Sequence, residues 1–204
     1  GLIKNARILG YTDLKIRERM KSSYLGNDTV IEKYSPADVF LVNGIVGDVG
    51  RHSRHQEMYT NAKRLGYHFY TLKHPSAIIA ADVELKEGVQ VMAGAVIQTG
   101  AAISENAIIN TSASIDHDCM IGAHVHVAPG ATLCGHVSVG EAAHIGAGAI
   151  VIQNARVGAR ALVGAGAVVV SDIPSEVKAW GVPASVRRSI KDEYHPFLRN
   201  SALS

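Results

Sequence analysis

Residues 103–133 read ISENAIINTSASIDHDCMIGAHVHVAPGATL, and every sixth position from the first is aliphatic: Ile103, Ile109, Ile115, Ile121, Val127 and Leu133. The ladder extends outward in both directions without a miss, from Ile79 to Val169. A second register lies four residues after each anchor and is small or aliphatic, from Val83 and Val89 through Ala107, Ala113 and Cys119 to Ala167 and Ile173. A period of six fits neither an α-helix nor an alternating strand. It fits a three-sided coil in which each hexad supplies one short strand and one corner. Three hexads close one circuit, so residues 18 apart stack, with successive circuits roughly 4.7–4.9 Å apart. The anchors fill the axis, and the small position leaves room for the bulky side chains opposite. Gly88, Gly94, Gly100, Asn106, Gly130, Gly148 and Gly166 share the fourth hexad position, which suits corners that need φ > 0. The expected architecture is mainly β, a parallel three-sided prism whose hand the period alone does not set.

Composition narrows the class further. The chain has 204 residues, 47% hydrophobic but only 5% aromatic, so its core must be built from aliphatics, as a narrow prism requires. A net charge of +2 with acids and bases intermixed argues against a nucleic-acid groove, and no apolar run reaches the length of a membrane span. No signal or transit sequence is legible at the start. Cys119 and Cys134 fall inside the repeat and are expected as free thiols of a reduced, cytoplasmic protein.

Residues 1–73 have a different grammar. Arg7–Thr12 and Asp38–Asn43 read as short buried strands, Arg51–Leu65 as a helix stopped by Gly66, and Tyr67–Leu72 as a third strand. Strand, helix, strand in that order predicts parallel pairing, and ligands of such sheets bind at the carboxyl ends of the strands. That singles out Asp13, at the end of Gly10–Asp13, and Gly44, in the turn Asn43–Asp48. For the turn's glycine pair, an ordinary flexible loop is the competing reading.

Five of the ten histidines lie between positions 117 and 144: His117, His124, His126, His136 and His144. His126 and His144 are 18 apart, as are Asp118 and His136. None takes an anchor or inward position, so all are predicted to project outward. For His124 and His136 a solvated surface histidine is the competing reading. Gly130, Gly148 and Gly166 stack, with Ala128, Gly146 and Gly164 stacked beside them, giving an edge nearly free of side chains.

Over residues 79–184 the pattern resembles the hexapeptide-repeat acyltransferases. The resemblance includes the closing segment Trp180-Gly181-Val182-Pro183-Ala184, similar to the Gly-x-Pro-Ala that ends many of these coils beside the coenzyme A nucleotide. It implies a left-handed parallel β-helix assembled as a homotrimer, with active sites between neighbouring prisms. The junction His74-Pro75-Ser76-Ala77 and the small domain before it narrow the likeness to the UDP-4-amino-sugar N-acetyltransferases of bacillosamine synthesis and the sialic acid O-acetyltransferases. The implied organisation is a small Rossmann-like nucleotide-sugar domain over 1–73, the acyltransferase prism over 74–184 and a C-terminal extension over 185–204.

Site residues follow from the same resemblance. Asn110-Thr111-Ser112 and then Asp116-His117-Asp118-Cys119 are similar to the family's Asn-Thr-Ser and acid-His-acid-Cys run. This implies His117 as general base, Asp118 as the acid that orients it and Asn110 as a sugar-positioning residue. The acyl donor would meet His126 near the thioester, Gly146, Gly148, Gly164 and Gly166 along the pantetheine arm, and Arg187 or Arg188 at the phosphates. Two departures stand out. Asp118 is one methylene shorter than the glutamate often found there. The Gly-Gly-His-like phosphate loop that usually precedes the segment resembling Gly10–Asp13 is not seen, so either the chain shown lacks its beginning or those contacts are replaced.

The chemistry is coherent with these roles. Acyl transfer from a thioester to an amine or hydroxyl needs a nucleophile relieved of a proton, which an imidazole with its tautomer fixed by a carboxylate can do. Cys119, facing inward, would be a poor nucleophile, so direct transfer is expected, with a backbone N–H at a glycine corner for the oxyanion. The expected activity is acetyl-CoA-dependent N-acetylation of a nucleotide-linked amino sugar, with no metal. The alternatives are O-acetylation of a sugar, a zinc enzyme on the same prism, and a non-catalytic binding prism. Zinc prisms of the γ-carbonic anhydrase type pair histidines five apart, with another about two circuits away, and the coil lacks both spacings.

Overall fold

The computed structural model describes residues 7–18, 23–45 and 53–189. From Leu72–Lys73 to Val168–Val169 a two-residue strand recurs every six residues, and each pairs in parallel with the strand 18 residues away. The strands sort into three sheets. Outward positions of one face are Ile78, Val96, Ser114, Thr132, Ile150 and Val168; of the second, Glu84, Ala102, Met120, Ser138 and Arg156; of the third, Gln90, Ile108, His126, His144 and Leu162. These stacked parallel strands are consistent with the left-handed coil that the resemblance implies.

The expected core is in place. Every anchor from Val91 to Val169, and every small partner from Val89 to Ala167, is at most 5% exposed. Ile79, Leu85 and Val83, at the open first end of the prism, are only partly buried. The coil begins slightly earlier than position 74, because Leu72–Lys73 already pairs with Gln90–Val91. It closes with Val177–Gly181, parallel to Leu162–Val163, and an antiparallel return strand Ala184–Ser189. Residues 190–204 of the expected extension lie outside the described residues.

Corners carry the left-handed conformation more widely than Gly and Asn alone would suggest. Besides the predicted positions, Ser112, Asp118, His124, His136, Ala142, Asn154 and Arg160 have φ between 54° and 63°. An L-residue pays roughly 1–2 kcal/mol there. The coil offsets it by locking each corner amide to the circuit below: Asp118 N donates to Thr99 O at 3.0 Å, His124 N to Glu105 O at 2.9 Å, and His136 N to His117 O at 2.9 Å.

Ahead of the prism, β1 (Tyr11–Thr12) pairs in parallel with β2 (Tyr24–Gly26), and β3 (Phe40–Leu41) with β4 (His68–Phe69). Helix α1 (Arg54–Arg64) joins β3 to β4, capped by Ser53, whose Oγ accepts from Gln56 N. The parallel strand–helix–strand unit is therefore present, whereas the strands are shorter and less buried than the sequence suggests. Ile8 is 63% and Phe40 68% exposed, because each sheet has only two strands and covers little of its own surface. The single strand expected over 67–72 divides: Phe69 ends β4, and Leu72 starts the prism. Tyr59, Ala62, Tyr67 and Phe69 form a small separate core.

Helix α1 lies against the prism. Tyr59 meets the His124 ring at 5.4 Å, and Lys63 Nζ reaches both carboxylate oxygens of Glu87 at 2.9 Å. A buried amide network completes the seam: Asn43 Nδ2 donates to His55 O at 2.8 Å and to Asn106 Oδ1 at 3.2 Å, while Gln90 Nε2 donates to Asn43 O at 2.8 Å. Among the described residues, no helix is long and apolar enough to cross a membrane.

Candidate active site

His117 sits at the corner between the Ser114–Ile115 and Met120–Ile121 strands, where the Ile78 and Glu84 faces meet. Ile115 and Cys119, both fully buried, pin the corner on either side. Asp116 Oδ1 accepts from His117 N at 2.8 Å and tightens the turn. The left-handed backbone of Asp118 turns its carboxylate back toward the ring, and His117 Nδ1 lies 2.8 Å from Asp118 Oδ2. With Nδ1 as donor, Nε2 is the free basic nitrogen, a tautomer assigned from this bond. The hydrogen-bonded carboxylate holds the imidazole above its ordinary pKa. Both side chains are about half exposed, open to an incoming molecule. Aspartate, despite its shorter reach, closes the dyad.

Two glycines make room for it, Gly135, which the sequence reading did not single out, and Gly100, which it read only as a corner. Gly135 is 18 residues after His117, and a Cβ there would lie 2.5 Å from Nε2. Gly100 is 18 residues before Asp118, and a Cβ there would meet the Asp118 carboxylate. The stacking interval that sorted the histidines is also the signal that finds both.

Cys119 points inward, and its Sγ lies 3.2 Å from Cys134 O. Burial pushes the thiol up to about 11. At neutral pH it holds its proton, which argues against an acyl-cysteine intermediate.

Asn110 and His126 form a second group on another edge. Asn110 Nδ2 donates to His126 Nε2 at 3.0 Å, and His126 packs edge-on to His144 with ring centroids 4.8 Å apart. His126, His144 and His124 do project from the prism, but α1 roofs them with His55, around a cavity of about 10 Å³, the size of one water. Burial lowers the pKa of all four, His55 and His126 to about 4. His126 Nδ1 and His55 Nε2 are buried without a protein partner. His136 is exposed, whereas His124 is not a solvated surface histidine.

The glycine edge also divides. A Cβ on Gly130, Gly148 or Gly166 would meet nothing within 4 Å, so this strip is open. On Gly146 it would lie 2.5 Å from Ala165 N, and on Gly164 2.8 Å from Trp180 Cβ, so these two are glycine because the next layer passes over them. Arg187 is exposed on the return strand. Asp13 is engaged locally, accepting from Arg17 Nε and Leu14 N at 2.6 Å each, and the Arg17 bond lowers its pKa. Gly44 is exposed beside open space; the rest of its turn, 46–48, lies outside the described residues.

Within one chain, then, the predicted prism residues fall into two clusters, with Asp13, Gly44 and Arg187 in neither. The open glycine strip and the His117 dyad occupy opposite edges of the Ile78 face, separated by the length of the strands that cross it.

No protein-family model matches the chain. Solved structures do. The acetyltransferase domain of PglB from Neisseria gonorrhoeae FA1090, in complex with acetyl coenzyme A, is 31% identical over 86% of this chain and 84% of that one, with a TM-score of 0.77. PerB from Caulobacter crescentus, in complex with CoA and GDP-perosamine, is 41% identical over 79% and 77%, with a TM-score of 0.74. A variant of perosamine N-acetyltransferase from the same organism is 37% identical over 81% and 78%, also with a TM-score of 0.74. Likeness of this extent, over a coil whose sixfold period is visible residue by residue, makes the chain an enzyme of the hexapeptide-repeat acyltransferase family.

Proposed function

We propose that this protein transfers the acetyl group of acetyl-CoA to the amino group of a nucleotide-linked amino sugar, with His117 as general base. The observation that carries the reading is the 2.8 Å bond from His117 Nδ1 to Asp118 Oδ2 at an exposed corner, which leaves Nε2 free. His117 Nε2 takes a proton from the acceptor nitrogen as that nitrogen attacks the thioester carbon. The tetrahedral intermediate collapses, the C–S bond breaks, and the imidazolium returns its proton to the departing thiolate. Asp118 positions the ring throughout. A backbone N–H at a glycine corner serves the oxyanion.

The separation of the two clusters by a full face supports assembly as a trimer of left-handed prisms. In it the open strip of Gly148 and Gly166 on one subunit, with His126 and Asn110 beside it, would face the dyad of the next. Gly146 and Gly164 shape this strip, and Arg187 is placed for the donor's phosphates. The β1–β4 and α1 segment is the Rossmann-like nucleotide-sugar domain, with Asp13 and Gly44 at strand ends toward the ligand. The prism over 74–184 carries the chemistry, and the protein works in the cytoplasm. The sugar acceptors named in the PerB and perosamine N-acetyltransferase structures support an amine over a hydroxyl.

Thiol release from acetyl-CoA, measured with a panel of UDP-, GDP- and TDP-linked amino sugars, tests the reading. His117→Ala is expected to lower turnover with the best acceptor by roughly 10²–10⁴. Turnover within about threefold of wild type would exclude the base role. Acetylation of hydroxyl acceptors alone would exclude the N-acetyl assignment.

A further inference from the structure

His136 stands one circuit above Asp118 on the same edge, and both have left-handed backbones, with φ of 60° and 57°. Their side chains therefore leave the coil in parallel. His136 Nε2 lies 3.8 Å from Asp118 Oδ2, the same oxygen that pairs with His117 Nδ1 at 2.8 Å. The two imidazoles meet edge to face, with centroids 5.0 Å apart. One donor atom from each of the three side chains lies within 4.8 Å of the others, and all three residues are exposed.

A tetrahedral zinc ion with bonds near 2.0–2.2 Å sets its ligand atoms roughly 3.3 Å apart. The distances of 2.8 and 3.8 Å bracket that value, and surface side chains can make up the difference. Two imidazoles and one carboxylate form a borderline-soft donor set suited to Zn²⁺, and three ligands leave the fourth position to water. The residues follow an i, i+1, i+19 pattern that only a coil with an 18-residue circuit brings together, unlike the two-subunit histidine sites of zinc prisms.

We propose that His117, Asp118 and His136 form a regulatory Zn²⁺ site, and that the ion switches acetyl transfer off. An ion on His117 Nδ1 displaces the proton shared with Asp118 and leaves the neutral ring protonated at Nε2. Nε2 is the atom that must accept the acceptor's proton. The inhibitory half of this proposal rests on His117 being the base; the binding half does not.

The test uses full-length protein stripped with a chelator, with ZnCl₂ alone as the probe. Zinc binding is followed by equilibrium dialysis, and acetyl transfer is measured in parallel, for wild type, His136→Asn and His136→Gly. Asn and Gly both occur with left-handed backbones on this edge, at Asn154 and Gly100, so both variants are compatible with the coil. Wild type is expected to hold one zinc per chain and to lose turnover until chelator is added. Both variants are expected to bind zinc about tenfold more weakly or worse, and to keep their metal-free turnover in zinc that silences wild type. Binding undiminished in the variants, or no stoichiometric zinc in wild type, overturns the site. Zinc bound through His136 with turnover intact supports the site and overturns the base role of His117, so the two readings fail separately.

Discussion

The imidazole of His117 occupies the space that a side chain at Gly135 would need, with Nε2 only 2.5 Å from where a Cβ would stand. Gly135 has no positive φ, so alanine suits its backbone and the conflict is confined to the ring. Gly135→Ala is expected to leave the thermal midpoint nearly unchanged and to lower kcat by about 10², the effect of misplacing a catalytic group by an ångström. In a Gly135→Ala/His117→Ala double variant the losses should not add. Additive losses in steady-state kinetics would show that Gly135 acts elsewhere.

Gly146 and Gly148 separate packing from open space two residues apart. A methyl at 146 runs into Ala165 N, whereas one at 148 enters open space from a left-handed backbone. Gly146→Ala is expected to impair folding. Gly148→Ala should cost about 1 kcal/mol in backbone strain, remain folded and raise the KM for acetyl-CoA. Denaturation curves and donor titrations of the two variants check this, and an unchanged KM in Gly148→Ala would remove the strip from the donor site.

Stability should fall on acidification through a defined window. His55 and His126 are held neutral, with pKa values lowered to about 4, against 6.5 in the unfolded chain. Above pH 6.5 neither state is protonated and nothing is lost. Below it the unfolded chain takes up protons that the native state refuses, so stability declines from pH 6.5 toward 4, by about 1.4 kcal/mol per pH unit for each histidine. Urea unfolding at successive pH values measures the slope, and His55→Gln should flatten it.

The amide seam between β3 and the prism predicts a coupled pair. Asn43 and Asn106 are 3% and 0% exposed and bonded to each other. Asn43→Ala should cost about 1–3 kcal/mol through partners left unsatisfied. Asn106→Ala should cost more, because alanine must also hold φ near 56°. A double-mutant cycle by chemical denaturation should show coupling of about 0.5 kcal/mol or more.

The prism was legible because its core repeats: each anchor makes the same contact one hexad on, so the period survives every change of outward residue. His117 and Asp118 were legible by resemblance and the stacking of His136 by counting. The roof that α1 places over His124, His126 and His144 was not. It depends on single contacts such as Tyr59 with His124 and Asn43 with Asn106, between segments far apart in sequence, with no period to announce them. The left-handed corners at Asp118, His124 and His136 fall on the same fourth hexad position as the glycine corners, so the period marks their place, and the hydrogen bond to the preceding circuit holds a residue with a side chain there.

The 18-residue circuit also restricts how this enzyme's length can change. Adding or removing a whole circuit shifts everything above it by one storey and keeps each edge facing the same way. A six-residue insertion below His117 would instead rotate the upper storeys by a third of a revolution and carry the proposed base to the wrong flank. Viable length variants of the column should therefore come in multiples of eighteen, unless the extra residues bulge out as a loop.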